Sequence, residues 1–314
     1  MPEPEPELPE PARASFGIRL QQAMDVRGQL CVGIDPHPAL LAAWGLNDDA
    51  AALERFSLTV LAAVGEQVAA VKPQVALFER HGSAGLAALE RVLAACSEAG
   101  VLSIADAKRG DIGSTMAAYA DAWLRDGSAL AADALTVSPY LGFESLRPAL
   151  DLAQATGRGV FVLGLTSNPE GRSVQHVGGD HSVAARIVNA AAAENSRELG
   201  RAAAAASASA AGDPSGPASG AASANPRLGS TGLVIGATVG TALAELGIHL
   251  AAAHTPILAP GLGAQGATAA DLAATFAAAY PNVLATSSRD ILKAGPEPAA
   301  LRDAARRTRE ELAR

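Results

Sequence analysis

The sequence predicts an α/β chain folded as a single (β/α)8 TIM barrel. Three observations carry this. Eight short apolar runs are bounded by polar residues, Ala/Leu-rich stretches separate them, and the strand ends recur at intervals of 23 to 38 residues with one exception. Strands are expected at 30–35, 68–73, 101–106, 133–138, 159–165, 233–237, 256–260 and 283–287. Helices are expected in stretches such as 49–70, 82–99, 114–126, 182–205, 239–252 and 268–280, where alanine and leucine favour them. An open doubly wound sheet is the competing architecture, and eight such units favour closure. A chain of 314 residues with 49% hydrophobic content suffices for a barrel, which commonly takes roughly 250 residues.

Two segments fall outside the pattern. Residues 1–13 begin Met-Pro-Glu-Pro-Glu-Pro-Glu and read as a disordered acidic tail, the opposite of a secretory signal. The one long interval, between strands 5 and 6, contains an Ala/Ser/Gly/Pro-rich insertion at about 202–230. That composition cannot bury a core and reads as a flexible surface insertion, with helix able to extend into its first alanines. Residues 14–314 are then one catalytic domain.

No apolar run is long enough to cross a bilayer, so a soluble cytoplasmic protein with no membrane partner is expected. Cys31 and Cys96 form no Cys-x-x-Cys pair and read as buried thiols of a reducing compartment. A net charge of −8, a sequence pI near 5.3 and 4% aromatic content argue against nucleic-acid binding, because neither a basic face nor a base-stacking platform is available.

Barrels of this type work at the C-terminal ends of their strands. Those ends carry Asp35, Lys72, Asp106 with Lys108, Ser138, Thr166 with Ser167, Gly261 with Gln265, and Arg289. Any one could be a solvated strand end. The whole set converging on one rim reads as a site. Lysine usage sharpens this: of 24 basic residues only Lys72, Lys108 and Lys293 are lysines. Arginine cannot release a proton near neutral pH and an ammonium can, so a transferable proton is wanted here. The densest motif is Asp106-Ala-Lys108-Arg-Gly-Asp111-Ile112-Gly-Ser-Thr115, with Asp106 expected to end strand 3 and Lys108 and Asp111 to follow in the loop. With Asp35 and Lys72 it forms alternating carboxylates and ammoniums, each favouring the charged form of its neighbours. Such an array is organised before substrate arrives.

Gly261-Leu-Gly263-Ala-Gln265-Gly266 fits G-x-G-x-x-G. A dinucleotide site would place it after the first strand, with an acid about 20 residues on, and this chain does neither. Barrels bind phosphate after strands 7 and 8, where Arg289 supplies a bidentate grip. A plain Gly-rich turn is the other reading. The histidines lack metal-ligand spacing, no G-x-S-x-G elbow occurs, and no metal site is expected.

The Asp-x-Lys-x-x-Asp-Ile pattern from Asp106, with its following Ser-Thr, resembles the signature of the orotidine 5'-monophosphate decarboxylases. The resemblance covers most of 15–310, including Gly33-Ile-Asp35-Pro, Val71-Lys72-Pro-Gln, Leu163-Gly-Leu-Thr166-Ser167-Asn, Pro260-Gly-Leu-Gly-Ala-Gln265-Gly and Arg289, and is most similar to the longer bacterial branch. Thr286-Ser-Ser288 stands where Val-Gly is more usual. The resemblance implies decarboxylation of orotidine 5'-monophosphate to UMP, the last step of de novo pyrimidine synthesis, without metal or cofactor. It implies that Lys108 protonates C6 as carbon dioxide leaves, that Asp106 sits against the carboxylate, and that Lys72 and Asp35 hold ribose hydroxyls. It implies that Asp111, Ile112 and Thr115 reach into the neighbouring site of a homodimer and that Ser167 meets the pyrimidine amide, with Thr166 also among the substrate-binding residues. Gly261, Gly263, Gln265, Ser288 and Arg289 are implied at the phosphate.

Three alternatives differ in class. A magnesium-dependent sugar-phosphate decarboxylase or aldolase of the same superfamily would place a glutamate where Lys72 stands. A Schiff-base aldolase needs a neutral lysine, which flanking aspartates oppose. A non-catalytic nucleotide-binding barrel would bind without turnover.

Overall fold

The computed structural model describes residues 13–212, 228–263 and 266–314, and in it eight parallel strands close into a barrel in sequence order. The strands are β1 (Leu30–Ile34), β2 (Ala70–Pro73), β3 (Leu102–Arg109), β4 (Ala134–Val137), β5 (Gly159–Leu165), β6 (Thr231–Ile235), β7 (Ile257–Pro260) and β8 (Val283–Ser287). Pairing of Cys31 with Thr286 joins β1 to β8 and completes the ring. The expected TIM barrel is therefore the fold.

Strand alternation sends residues two apart to one face. One apolar cluster, with Val32, Val71, Ala105, Leu135 and Ile235, packs the strands against the outer helices. A second fills the barrel with Cys31, Ala70, Ile104, Ala134, Phe161, Val234, Leu258 and Leu284. The next inward residues are Lys72 above Ala70, Asp106 above Ile104 and Thr136 above Ala134, so an apolar plug supports a polar layer.

The lower end of the plug is a helix that composition did not signal. Phe16–Arg27 buries Phe16, Leu20 and Met24 against the barrel interior. Phe16 meets Phe161 edge to face at 5.8 Å. A Cβ on Gly159 would come within 2.3 Å of the Phe16 ring, so the strand needs glycine there.

Several bounds differ from expectation. β3 continues through Arg109 rather than stopping at Asp106, because Arg109 pairs with Val137 across an irregularity that begins at Ala105. Lys108 thus sits in the strand, not in a loop. The helix expected over 239–252 reduces to Ala242–Glu245, flanked by Gly240 (φ 60°) and Gly247 (φ 61°). Conversely, the helix expected to end at 205 runs Val183–Gly212, since alanine is the strongest helix former. Most of the expected tail (1–12) and the centre of the insertion (213–227) lie outside the described residues. Arg13 is tied to the barrel through Asp126 (2.9 Å) and the Thr156 carbonyl (3.0 Å), and Leu228, at the far end of the insertion, is fully buried.

Candidate active site

At the C-terminal rim the polar layer becomes a chain of charges. The Lys72 ammonium donates to Asp106 Oδ2 at 2.9 Å and lies 4.0 Å from Asp35 Oδ1. The Lys108 ammonium donates to Asp106 Oδ1 at 2.5 Å. Thr136 Oγ1 donates to the same oxygen at 3.0 Å and accepts the backbone N–H of Lys108 at 2.9 Å. One threonine therefore fixes both the carboxylate and the lysine backbone. Ser288 Oγ donates to Asp35 Oδ2 at 2.6 Å. Gly33 makes room for this, because a Cβ there would lie 2.8 Å from the Ser288 Cβ.

Two features mark the array as strained and incomplete. Lys108 has φ 49°, a left-handed conformation that L side chains rarely adopt. Asp35 Oδ1 is buried and accepts no hydrogen bond. A buried carboxylate oxygen without a donor is costly, and a ligand hydroxyl would satisfy it.

Burial alone would raise the Asp106 pKa, but the ammoniums of Lys72 and Lys108 outweigh it and hold the carboxyl well below its usual 3.8. Burial alone would lower Lys72, but Asp106 and Asp35 hold it above its usual 10.5. Asp106, with its depressed value, contributes stability above pH 3.8 that is lost as pH falls through the folded value. Lys72, with its raised value, contributes below pH 10.5 and loses that contribution as pH rises through the folded value. The pair is thus fully charged between these limits. Carbon-13 NMR of the aspartate carboxylates should show no Asp106 titration between about pH 5 and about pH 9; a midpoint inside that window would contradict the ion-paired geometry. Beneath the array, burial pushes the Cys31 thiol up to about 12; the Lys72 ammonium opposes this and the Asp35 and Asp106 carboxylates add to it, so the thiol stays neutral.

The array forms one wall of a cavity of about 580 Å³. Asp35, Lys72, Asp106, Lys108, Thr166, Gly261, Ser288 and Arg289 all line it. Gly261 (φ 124°) opens the β7 loop, which folds on itself through Gly263 N–H to the Ala267 carbonyl (2.8 Å). A Cβ on Gly263 would fall 1.9 Å from Asp290, so glycine lets this loop close on the residue after Arg289. The Arg289 side chain makes no ion pair or hydrogen bond with any described residue. It is an exposed cation at the cavity edge, ready for an anion. Gln265 lies outside the described residues.

Other expected residues lie elsewhere. Ser167 packs against Gly236 rather than lining the cavity. Asp111 accepts the Ile112 backbone N–H at 2.8 Å, and Ile112 and Thr115 are exposed beyond the cavity. The structure also adds residues that sequence reasoning missed. His37, Gln74, Asn168 and Gln175 line the cavity. Gln175 holds Thr166 twice, accepting its N–H and donating to its hydroxyl, both at 2.8 Å.

Among the described residues no three His, Cys, Asp or Glu side chains gather as a metal ligand set, and no helix is long and apolar enough to cross a membrane. Comparison with known proteins gives one consistent answer. A model of the orotidine 5'-phosphate decarboxylase / HUMPS family matches residues 28–304. The orotidine 5'-phosphate decarboxylase of Streptomyces coelicolor is 52% identical over 300 residues, covering 95% of this chain and 96% of the relative. That of Salinispora arenicola is 52% identical over 295 residues, covering 93% and 95%. A crystal structure from Streptomyces avermitilis, provisionally named as the same enzyme, is 51% identical with a TM-score of 0.83 and covers 98% of each chain. The OMP decarboxylase structure from Leishmania donovani is 31% identical with a TM-score of 0.69, covering 95% and 98%.

Proposed function

The chain belongs to the orotidine 5'-phosphate decarboxylase / HUMPS family, and from that membership and the charged rim we infer that it is a carboxy-lyase that converts orotidine 5'-monophosphate to UMP and carbon dioxide, closing de novo pyrimidine synthesis. The observation that carries the residue roles is the Lys108 ammonium held 2.5 Å from Asp106 and facing the cavity. Loss of carbon dioxide breaks the bond between C6 and the carboxylate carbon and leaves the electron pair on C6. No adjacent carbonyl delocalises it. An ammonium beside that carbon stabilises the charge as it forms and then gives it a proton, becoming an amine that solvent reprotonates. Asp106 faces the substrate carboxylate. Asp35, with its unpartnered oxygen, accepts a ribose hydroxyl.

At the far end Arg289 takes the phosphate. Its binding energy holds the substrate while the pyrimidine meets Lys108. Arg289→Ala should weaken UMP binding roughly ten- to a hundredfold, the range for a charged hydrogen-bonded contact. Calorimetric titration with UMP reads it directly, and an unchanged affinity would remove Arg289 from the phosphate site.

The chemistry needs no metal. Lys72 places its own cation between Asp35 and Asp106, where a divalent ion would have to sit. A second copy of the chain would complete the site, and the exposed apolar side chains Ile112 (61%), Tyr140 (79%) and Leu141 (54%), the first of them within the Asp111–Thr115 segment, support a partner on this face. We place the protein in the cytoplasm. The deciding experiment is the ultraviolet absorbance of orotidine monophosphate mixed with the protein in EDTA. Rapid conversion to UMP is expected. Turnover only of a sugar phosphate, and only with magnesium, would move the chain to the other branch of its family.

A further inference from the structure

Arg109 lies inside the densest sequence motif but does not line the cavity. We propose that Arg109 is a positioning residue for Lys108, an anchor on the outer face of β3 that keeps the Lys108 ammonium against Asp106. The inference rests on the proton-donor role of Lys108 given above.

Asp106 and Lys108 point inward, and Arg109, one residue on, points to the helix layer. Its guanidinium pairs with the Glu79 carboxylate at the end of helix Val75–Glu79. It also donates to the Ala107 carbonyl at 3.2 Å. It lies 5.6 Å from the Tyr119 ring centroid and 5.7 Å from that of Trp123, both on helix Gly113–Leu124. These are cation–π distances. The Arg109 carbonyl accepts the Ser138 N–H at 2.7 Å. Next to it Gly110 presses so close that a Cβ would fall 2.4 Å from the Ser138 carbonyl oxygen. The residue after Lys108 is therefore fastened to two helices and to the end of β4.

Lys108 needs that fastening. A non-glycine residue stays left-handed only where its surroundings over-determine it. On its N-terminal side the hold is Thr136, which accepts the Lys108 N–H. On its C-terminal side the side-chain anchor is Arg109. Arginine suits the task because a planar fork bonds a carboxylate and a carbonyl while its face stacks on rings, which lysine cannot do. Without the anchor the 108–110 link relaxes and the ammonium leaves its place beside C6. The phosphate grip at Arg289, across the cavity, is untouched. Chemistry should suffer and binding should not.

The test compares Arg109→Ala, Arg109→Lys and Glu79→Gln with wild type. For each, kcat and KM for orotidine monophosphate, UMP binding stoichiometry and the thermal midpoint are measured. Arg109→Ala should lower kcat per UMP-binding site about ten- to a hundredfold, with KM and UMP affinity within about threefold. Arg109→Lys should recover part of the loss, and Glu79→Gln should show a smaller loss of the same kind. A merely structural role would lower the midpoint and the number of UMP-binding sites while leaving kcat per site at the wild-type value, and that result overturns the proposal. If Arg109→Ala does not fold, the other two variants decide by the same criterion. Wild type without turnover overturns the decarboxylase reading and this inference with it. Wild-type turnover with unchanged kcat in the variants overturns this inference alone.

Discussion

Lys108→Ala should lower kcat by about ten-thousandfold or more while the barrel survives. Two losses combine. A positioned proton donor is worth about 10²–10⁴, and a fixed charge beside developing charge about 10²–10³. They share one ammonium and do not multiply fully, so about 10⁴, or roughly 5 kcal/mol of barrier, is the expected scale. The fold should tolerate the change because the Lys108 side chain is 45% exposed and Asp106 keeps Lys72 at 2.9 Å and Thr136 at 3.0 Å. UMP lacks the carboxylate that meets this corner, so its affinity should move little. Stopped-flow absorbance gives the rate and calorimetry the affinity. Turnover within about a hundredfold of wild type would show that another group, or water, supplies the proton.

The residues that carry this prediction were legible in the sequence for a physical reason. Lys72 and Asp106 lie in the C-terminal halves of strands whose preceding inward residues, Ala70 and Ile104, are apolar core. Packing does not explain a charge at that position. Arg289 was legible through its place after strand 8. Thr136 was not, although it holds both Asp106 and Lys108, because threonine is an ordinary strand residue. Gln175 was hidden for another reason: it reaches Thr166 through a loop whose path no local pattern encodes. The helix Phe16–Arg27 escaped because only Phe16, Leu20 and Met24, with Gly17, are buried along its length, too thin an apolar stripe to stand out. The helix expected over 239–252 failed in the opposite sense. Its alanines and leucines favour helix, but Gly240 and Gly247 adopt positive φ and end it on both sides. Composition predicts what a segment can form. Backbone exceptions decide where it stops.

Lys72→Ala should be the most destabilising single change in the site, by about 3–5 kcal/mol, the cost of leaving a buried charge without its partner. Lys72 is 5% exposed, and its ammonium is shared by two carboxylates. Asp106 would retain Lys108 and Thr136. Asp35 would keep only the Ser288 hydroxyl on one oxygen, with the other, Oδ1, still lacking a donor. Alanine leaves a void where a cation stood, and water entering it recovers part of the solvation but none of the charge. The pH dependence separates this from simple loss of packing. In wild type the two ammoniums hold the Asp106 carboxyl below its usual 3.8, so the stabilisation is full at neutral pH and fades as pH falls below that value. Without Lys72 the burial that raises the Asp106 pKa is opposed by Lys108 alone. The difference in unfolding free energy between wild type and variant should therefore be smaller at about pH 3 than at about pH 7. Urea unfolding at the two pH values measures it. A deficit that stays the same at both would mean that Lys72 acts through its methylene stem. A deficit under about 1 kcal/mol at neutral pH would mean that the rim is solvated enough to screen its own charges.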